Sequence, residues 1–338
     1  MHHSRYKIES AAIGVAALCS LLAFLAASCV NDYGVTPETK HARFVEPDWL
    51  PLGRGPGVVT VSSLVSGPSG LWALAQDGLY RSTDGGDTWQ EISTAGLPSA
   101  ILSIASDSSG LLLAGISAPT ALWEYVPLQD SWQLINKGLE FLTVNQIATG
   151  PGTLLFAGTP GWGVFRSLDG GANWGPINSG LPTGEVVLLH RNSAGRLFMA
   201  TPSSGLYFSD NSGASWTAAQ TGSGNNRILC IAGNSNGMVF VGTAAGLFRS
   251  TDGGSLWVQA SPPSGEREYR ALLSLGPGEL FAGTTRGVLR STDEGITWED
   301  MSEGLVGIQV NTLMTIPSRH LYAGTAQGLF ITRLPIEP

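Results

Sequence analysis

From about residue 48 onward, short apolar runs alternate with clusters of Gly, Ser, Thr, Asn and Pro, and the alternation itself repeats. One unit opens with an apolar stretch such as 144–147. It continues with a Leu-Phe-Ala-Gly-Thr-like run (155–159, 239–243, 280–284, 321–325), then a Gly-Leu-Phe-Arg-Ser-like run (78–82, 163–167, 246–250, 287–291), and closes on a segment led by tryptophan. Runs this short, rich in β-branched and aromatic residues, have the length of strands, and the residues between them favour tight turns. Each unit therefore predicts four short antiparallel strands.

The tryptophans set the period. Trp49, Trp89, Trp132, Trp174, Trp216, Trp257 and Trp298 are separated by 40, 43, 42, 42, 41 and 41 residues. Four strands in a repeat of this length is the signature of a propeller blade. The residue fifteen positions after each tryptophan is apolar, namely Leu64, Ile104, Ile147, Leu189, Ile231, Leu272 and Leu313, so Trp49 stands in register with the other six. The last repeat begins at Gln309 and ends near Pro338 without a fourth strand, whereas Trp49 precedes the first full repeat with no strands of its own. The expectation is an all-β, seven-bladed β-propeller of four-stranded antiparallel blades. Its last blade would be closed by an N-terminal strand around Trp49, near residues 48–52, which removes an open sheet edge.

Between the third and fourth strands lies Ser-x-Asp-x-Gly-x-x-Trp, at Ser82–Trp89, Ser167–Trp174, Ser250–Trp257 and Ser291–Trp298. Ser209–Trp216 keeps the form with Asn211 in the Asp place, and Tyr125–Trp132 keeps only the tryptophan. A short Asp side chain accepts hydrogen bonds from turn backbone, Gly takes the positive φ of a tight hairpin, and Trp packs beneath. Asp84, Asp169, Asn211, Asp252 and Asp293 are thus expected as turn caps, with Trp89, Trp174, Trp216, Trp257 and Trp298 below them. This pattern resembles the Asp-box, or bacterial neuraminidase (BNR) repeat, and the resemblance implies that these carboxylates lie on the face opposite any functional site.

Charged residues make up 13% of the 338, Gly numbers 45, and Lys occurs only at 7, 40 and 137. A net charge of −8 with no basic stripe argues against nucleic acid as a partner. Residues 1–28 combine a short basic start, an apolar stretch over 11–27 and small residues before Cys29, the grammar of a secretory signal. A Cys directly after Leu25-Ala26-Ala27-Ser28 resembles the bacterial lipobox. That resemblance implies lipidation at Cys29, a tether over 29–47 and a propeller over 48–338, exported and lipid-anchored in the bacterial cell envelope on the periplasmic face or the cell surface. Cys19 lies within the signal, so Cys230 alone remains and no intramolecular disulfide is expected.

Candidate chemistry belongs to the face carrying the loops from strand four to the next strand one and from strand two to three, here the upper face, because loops on a rigid scaffold carry binding. Eleven residues after each tryptophan, where first strands begin, stand Thr60, Ala100, Thr143, Glu185, Arg227, Glu268 and Gln309; two positions on, Asn145, Arg270 and Asn311 appear. The strand two–three loops add Asp77, Trp162, Arg286 and Gln327, and the loop 261–269 adds Glu266 and Arg267. The ligand-binding candidates are Glu185, Arg227, Glu268, Arg270, Arg286 and Trp162, with the first four expected close together at one channel mouth. Histidines 190 and 320 have no ligand spacing and no phosphate loop precedes a helix, so neither metal nor cofactor is expected.

Three families share the repeat. Sialidases have six blades, an arginine triad and a Tyr–Glu pair; Arg227, Arg270 and Arg286 with Tyr269 could imitate that set, but the blade count here is seven. Xyloglucan-cleaving hydrolases use two propellers, and this chain holds one. Size, blade count and anchor agree best with photosystem II stability/assembly factor-like proteins, and more broadly with sialidase-like and sortilin-type propeller lipoproteins. The resemblance implies a non-enzymatic, monomeric scaffold that binds a protein or glycan on its upper face. The alternative is a glycan-acting hydrolase, or a glycan-binding propeller, and the former would need two facing carboxylates.

Overall fold

The structure, a computed structural model, describes residues 48–336 except 53, 54, 108, 183, 221–226, 235, 261–267, 277 and 317–319. The signal segment, Cys29, the 29–47 tether, Glu266 and Arg267 lie outside the described residues. Among those described, all regular structure is strand, in seven four-stranded antiparallel sheets. No helix there is long and apolar enough to cross a membrane.

Six sheets are built from four consecutive strands, which we number blades 1 to 6 in chain order. Their inner strands are Val61–Gly67, Ile101–Ser106, Gln146–Thr149, Leu188–Arg191, Ile228–Gly233 and Tyr269–Ser274; blade 7 begins with Val310–Thr315. Each inner strand touches the inner strands of the blades before and after it, and that of blade 7 touches that of blade 1, which makes a closed ring.

The second strand of each blade is enclosed between neighbouring blades. The runs Leu155–Thr159, Leu197–Thr201, Val239–Thr243, Leu280–Thr284 and Leu321–Thr325 are buried at every position. This explains why they read as continuous apolar runs rather than alternating ones: both faces of the sheet are covered. An aromatic recurs at one place, Trp72, Phe156, Phe198, Phe240, Phe281 and Tyr322, each fully buried. Burying one such side chain is worth about 1.5–3 kcal/mol, and each of the six belongs to a cluster packed between two blades. Blades pack closely enough that a methyl added at Gly158 would stand 2.7 Å from Val186 of the next blade.

Blade 7 takes its outer strand from the other end of the chain. Trp49–Pro51 pairs antiparallel with Gly328–Thr332, with Trp49 opposite Thr332 and Pro51 opposite Phe330. The Trp49 indole is 1% exposed, packs with Leu305, Val310 and Phe330, and donates to the Met301 carbonyl at 2.8 Å.

The hairpins between third and fourth strands follow one plan. In the first, Ser82 donates to Asp84 at 2.8 Å, the Gly86 amide donates to Ser82 Oγ at 2.8 Å, and the Thr88 amide donates to Asp84 at 3.0 Å. Trp89 Nε1 then donates to the Gly86 carbonyl at 3.1 Å. Gly85 and Gly86 have φ of +77° and +98°, a region open to glycine at no steric cost. The Ser and Gly bonds recur around Asp169, Asn211, Asp252 and Asp293, and the tryptophan bond at Trp174, Trp257 and Trp298, while Trp216 donates to the Ile177 carbonyl instead. Blade 2 lacks the motif, and there the Tyr125 hydroxyl donates to Asp130 at 2.6 Å while its ring meets Trp72 edge-on and Trp132 at a tilt.

Candidate functional site at the channel mouth

In an antiparallel four-stranded blade, the one–two and three–four turns share one end, and the two–three loops share the other with the crossovers to the next blade. The Asp-boxes therefore occupy the lower end and the starts of all inner strands the upper end.

At the upper end a cavity of about 420 Å³ is lined by Thr60, Ser62, Arg227, Leu229, Arg270, Gln309 and Asn311. These residues come from blades 1, 5, 6 and 7, which meet only because the ring closes. Arg270 is held by Glu268, Nη1 to Oε2 at 2.8 Å, with about a third of the arginine side chain exposed. Gln309 donates to Asn311 Oδ1 at 2.7 Å, and Asn311 in turn donates to the Val61 carbonyl at 3.0 Å, stitching blade 7 to blade 1. Arg227 is exposed and forms no ion pair among the described residues. The mouth thus offers two guanidinium groups, one of them neutralised at its rim, beside hydroxyl and amide groups.

The sequence candidates divide. Arg227 and Arg270 line the cavity, and Glu268 reaches it through Arg270. Glu185 does not line it; it is exposed, and its backbone bridges to Pro160 in the strand two–three loop of blade 3. Trp162, 65% exposed, belongs to that same loop, where its carbonyl accepts from Asn178 at 3.0 Å. Arg286 sits in the equivalent loop of blade 6, its carbonyl accepting from Gly307, and does not line the cavity. The close cluster expected of Glu185, Arg227, Glu268 and Arg270 is therefore a cluster of three. Ser62 and Leu229 were missed; both stand thirteen residues after a repeat tryptophan, at the position Arg270 and Asn311 also occupy, so the repeat register itself held the signal.

A second cavity, of about 510 Å³, opens beside the first between blades 1 and 2. Thr60 and Ser62 line both. Asp77 also lines it, near the Tyr80 hydroxyl.

The remaining polar groups are structural. Burial pushes the Cys230 thiol up to about 12, and its sulfur contacts the Tyr269 carbonyl at 3.3 Å. Among the described residues no group of three or more His, Cys, Asp or Glu could hold a metal ion. Of the third-strand arginines, two brace the ring: Arg166 donates to the Ser212 carbonyl at 2.9 Å and Arg249 to the Glu294 carbonyl at 3.2 Å, each across to the next blade, while Arg81 and Arg290 bond to Ser69 and Glu279 within their own blades.

Fold and turn chemistry together define a seven-bladed β-propeller with Asp-box hairpins. The BNR/Asp-box repeat family matches residues 80–91, the first of these hairpins. No curated protein matches the chain. Among solved structures, the extracellular domain of a putative one-component system of B. thetaiotaomicron is similar over 85% of this chain and 40% of that one, with 17% identity and a TM-score of 0.69. YCF48 bound to a D1 peptide is similar over 86% of this chain and 96% of that one, with 17% identity and a TM-score of 0.70. The GH74 xyloglucanase of Xanthomonas campestris is similar over 85% and 53%, with 19% identity and a TM-score of 0.68. The chain spans less than half of that extracellular domain, about half of the xyloglucanase and nearly all of YCF48.

Proposed function

We propose that this chain is an exported, lipid-anchored propeller, tethered through Cys29, that binds an acidic peptide segment of a partner protein at its upper channel mouth. The observation that carries the reading is the convergence of Arg227 and Arg270, from two blades, on one cavity with Gln309, Asn311, Thr60 and Ser62. Arginine presents a planar fork matched to a carboxylate, and the neighbouring amides and hydroxyls are suited to peptide backbone. The YCF48 complex is an instance of peptide binding on this fold. Export agrees with the extracellular setting of the one-component-system domain. A glycoside hydrolase works with two carboxylates roughly 5–10 Å apart, whereas the described lining supplies guanidinium, amide and hydroxyl groups, a set for holding rather than cleaving.

The test uses the full chain in detergent with Arg227→Ala and Arg270→Ala. Each is expected to weaken binding of an Asp-containing peptide by roughly tenfold or more, while melting within about 2 °C of wild type, because an exposed ion pair is worth little. Wild-type binding by both variants would overturn the reading.

A further inference from the structure

The cavity between blades 1 and 2 has a cause in the sequence. Four crossovers between blades use the same turn, in which a glycine with φ near +95° precedes a leucine whose amide bonds back three residues: Gly96-Leu97, Gly138-Leu139, Gly180-Leu181 and Gly304-Leu305. Leu139 and Leu305 are fully buried, and Leu181 packs against the cluster between blades 3 and 4. Each fills the crevice beside its own turn. Leu97 belongs to no such cluster, and a methyl added at Gly96 would meet nothing, whereas one at Gly138 would strike the Trp174 carbonyl.

Two small residues widen the same crevice. Where the second strands of blades 3 to 7 end in Thr159, Thr201, Thr243, Thr284 and Thr325, blade 1 ends in the smaller Ala75. At the position eleven residues after each repeat tryptophan, where the other blades carry Thr, Glu, Arg or Gln, blade 2 carries Ala100. Ala75 and Ala100 both line the resulting cavity, with Leu74, Leu79 and Ile101 as its apolar walls. Its volume, about 510 Å³, falls in the range of pockets that hold ligands. Ser99 also lines it, and its Oγ is buried without a hydrogen-bond partner, a state that costs free energy until something supplies one.

We infer that this crevice is an apolar anchor pocket for a large hydrophobic side chain of the same acidic peptide that the channel mouth binds. The inference rests on the peptide-binding reading above. Thr60 and Ser62 form a wall common to both cavities, so a carboxylate on Arg227 and Arg270 and a side chain between blades 1 and 2 lie on either side of one strand end. An extended chain, whose successive side chains point to opposite sides a few ångströms apart, can cross that strand end with one side chain on each side of it. The ligand so defined is an extended segment carrying an acidic residue and, within a few positions, an aromatic or large aliphatic one. The acidic residue gives orientation and the apolar one most of the affinity, as in other interfaces anchored by a desolvated side chain.

The experiment uses the full chain in detergent and capped Gly/Ser peptides bearing one Asp, with Phe placed one, two or three positions away. Matched peptides carry Ala for Phe, or Asn for Asp. In at least one spacing Phe is expected to tighten binding by roughly tenfold over Ala. That gain should vanish in Ala100→Trp and in Thr94→Trp, which fill the crevice from one wall each, while the preference for Asp over Asn survives. Arg227→Ala should show the reverse pattern. Melting temperatures confirm that each variant is folded, and the two crevice variants guard against one failing. A preference for Asp with no gain from Phe in any spacing overturns the anchor pocket and leaves the peptide reading standing. A Phe gain that persists in both crevice variants overturns it as well. Indifference to both residues overturns the peptide reading and the pocket with it. Self-association of the wild type that Ala100→Trp abolishes would assign the crevice to a second copy of this chain instead.

Discussion

The lower and upper ends of the ring carry their charged groups in opposite conditions. At the lower end, each Asp-box carboxylate is consumed by its own turn. Asp293 accepts from Ser291, Ile296 and Thr297, all within four residues of it. Hydrogen bonds from the Thr88 side chain and amide, then from Ser82, hold the Asp84 carboxyl down at about 2. Asp169 and Asp293 are held down to about 2 in the same way, chiefly by the side chains of Asn173 and Thr297. At the upper end, Arg227 has no ion pair among the described residues and Arg270 shares one with Glu268 at the rim. The carboxylates that repeat from blade to blade are satisfied within their own hairpins. Groups that differ from blade to blade meet at the mouth, where Arg227 is left without an ion pair among the described residues.

That contrast breaks most visibly if the scaffold is opened. A chain beginning at Gly55 lacks the strand Trp49–Pro51, which leaves Gly328–Thr332 as a bare edge and uncovers Leu305, Val310 and Phe330. It is expected to aggregate and to melt far below a chain beginning at His41. Trp49→Ala alone should cost about 3–5 kcal/mol by chemical denaturation, the usual penalty for deleting a large buried aromatic. Equal melting of the two truncated chains would show that the pairing contributes nothing to closure.

Exchanging the two ends sharpens the comparison with a smaller effect. Asp84→Ala or Asp169→Ala should lower the melting temperature by roughly a few degrees, through lost turn bonds, and leave peptide binding unchanged. Arg227→Ala should do the converse. An Asp-box variant that melts normally but loses binding would place the ligand on the lower face.

The smallest effect is on pH dependence. A carboxyl whose folded pKa lies below its unfolded value stabilises fully above the ordinary carboxylate range and stops stabilising as pH falls through the folded value. The Asp-boxes therefore predict a melting temperature that declines between about pH 4 and about pH 2. Asn at 84, 169 and 293 together should flatten part of that decline, since Asn211 already closes its hairpin with Ser209, Gly213 and Ser215 without titrating. A decline of unchanged depth in the triple variant would assign acid sensitivity to other carboxylates.

Much of this was readable beforehand because the repeat writes each local decision several times. The tryptophan ladder announced the blades, and the observed second and third strands fall where the apolar runs do, with only the third strand of blade 5 starting one residue later, at Leu247. The site was less legible. Position within the repeat told that Arg227 and Arg270 stand near inner-strand starts, yet Glu185 holds the same repeat position as Arg227 and does not line the cavity. The crevice was invisible as such: Ala75 and Ala100 are unremarkable alone, and Leu97 has the same turn as its buried counterparts.

By itself the sequence determined the strands, their hairpins and the number of blades, because those follow from patterns within about forty residues and from turn chemistry that a few side chains complete. Only the tertiary structure decided which of the upper residues share a cavity, and which crevice between blades stays open. Both depend on residues more than a repeat apart, brought together when the ring closes, and on whether a neighbouring side chain is large enough to fill the space between them.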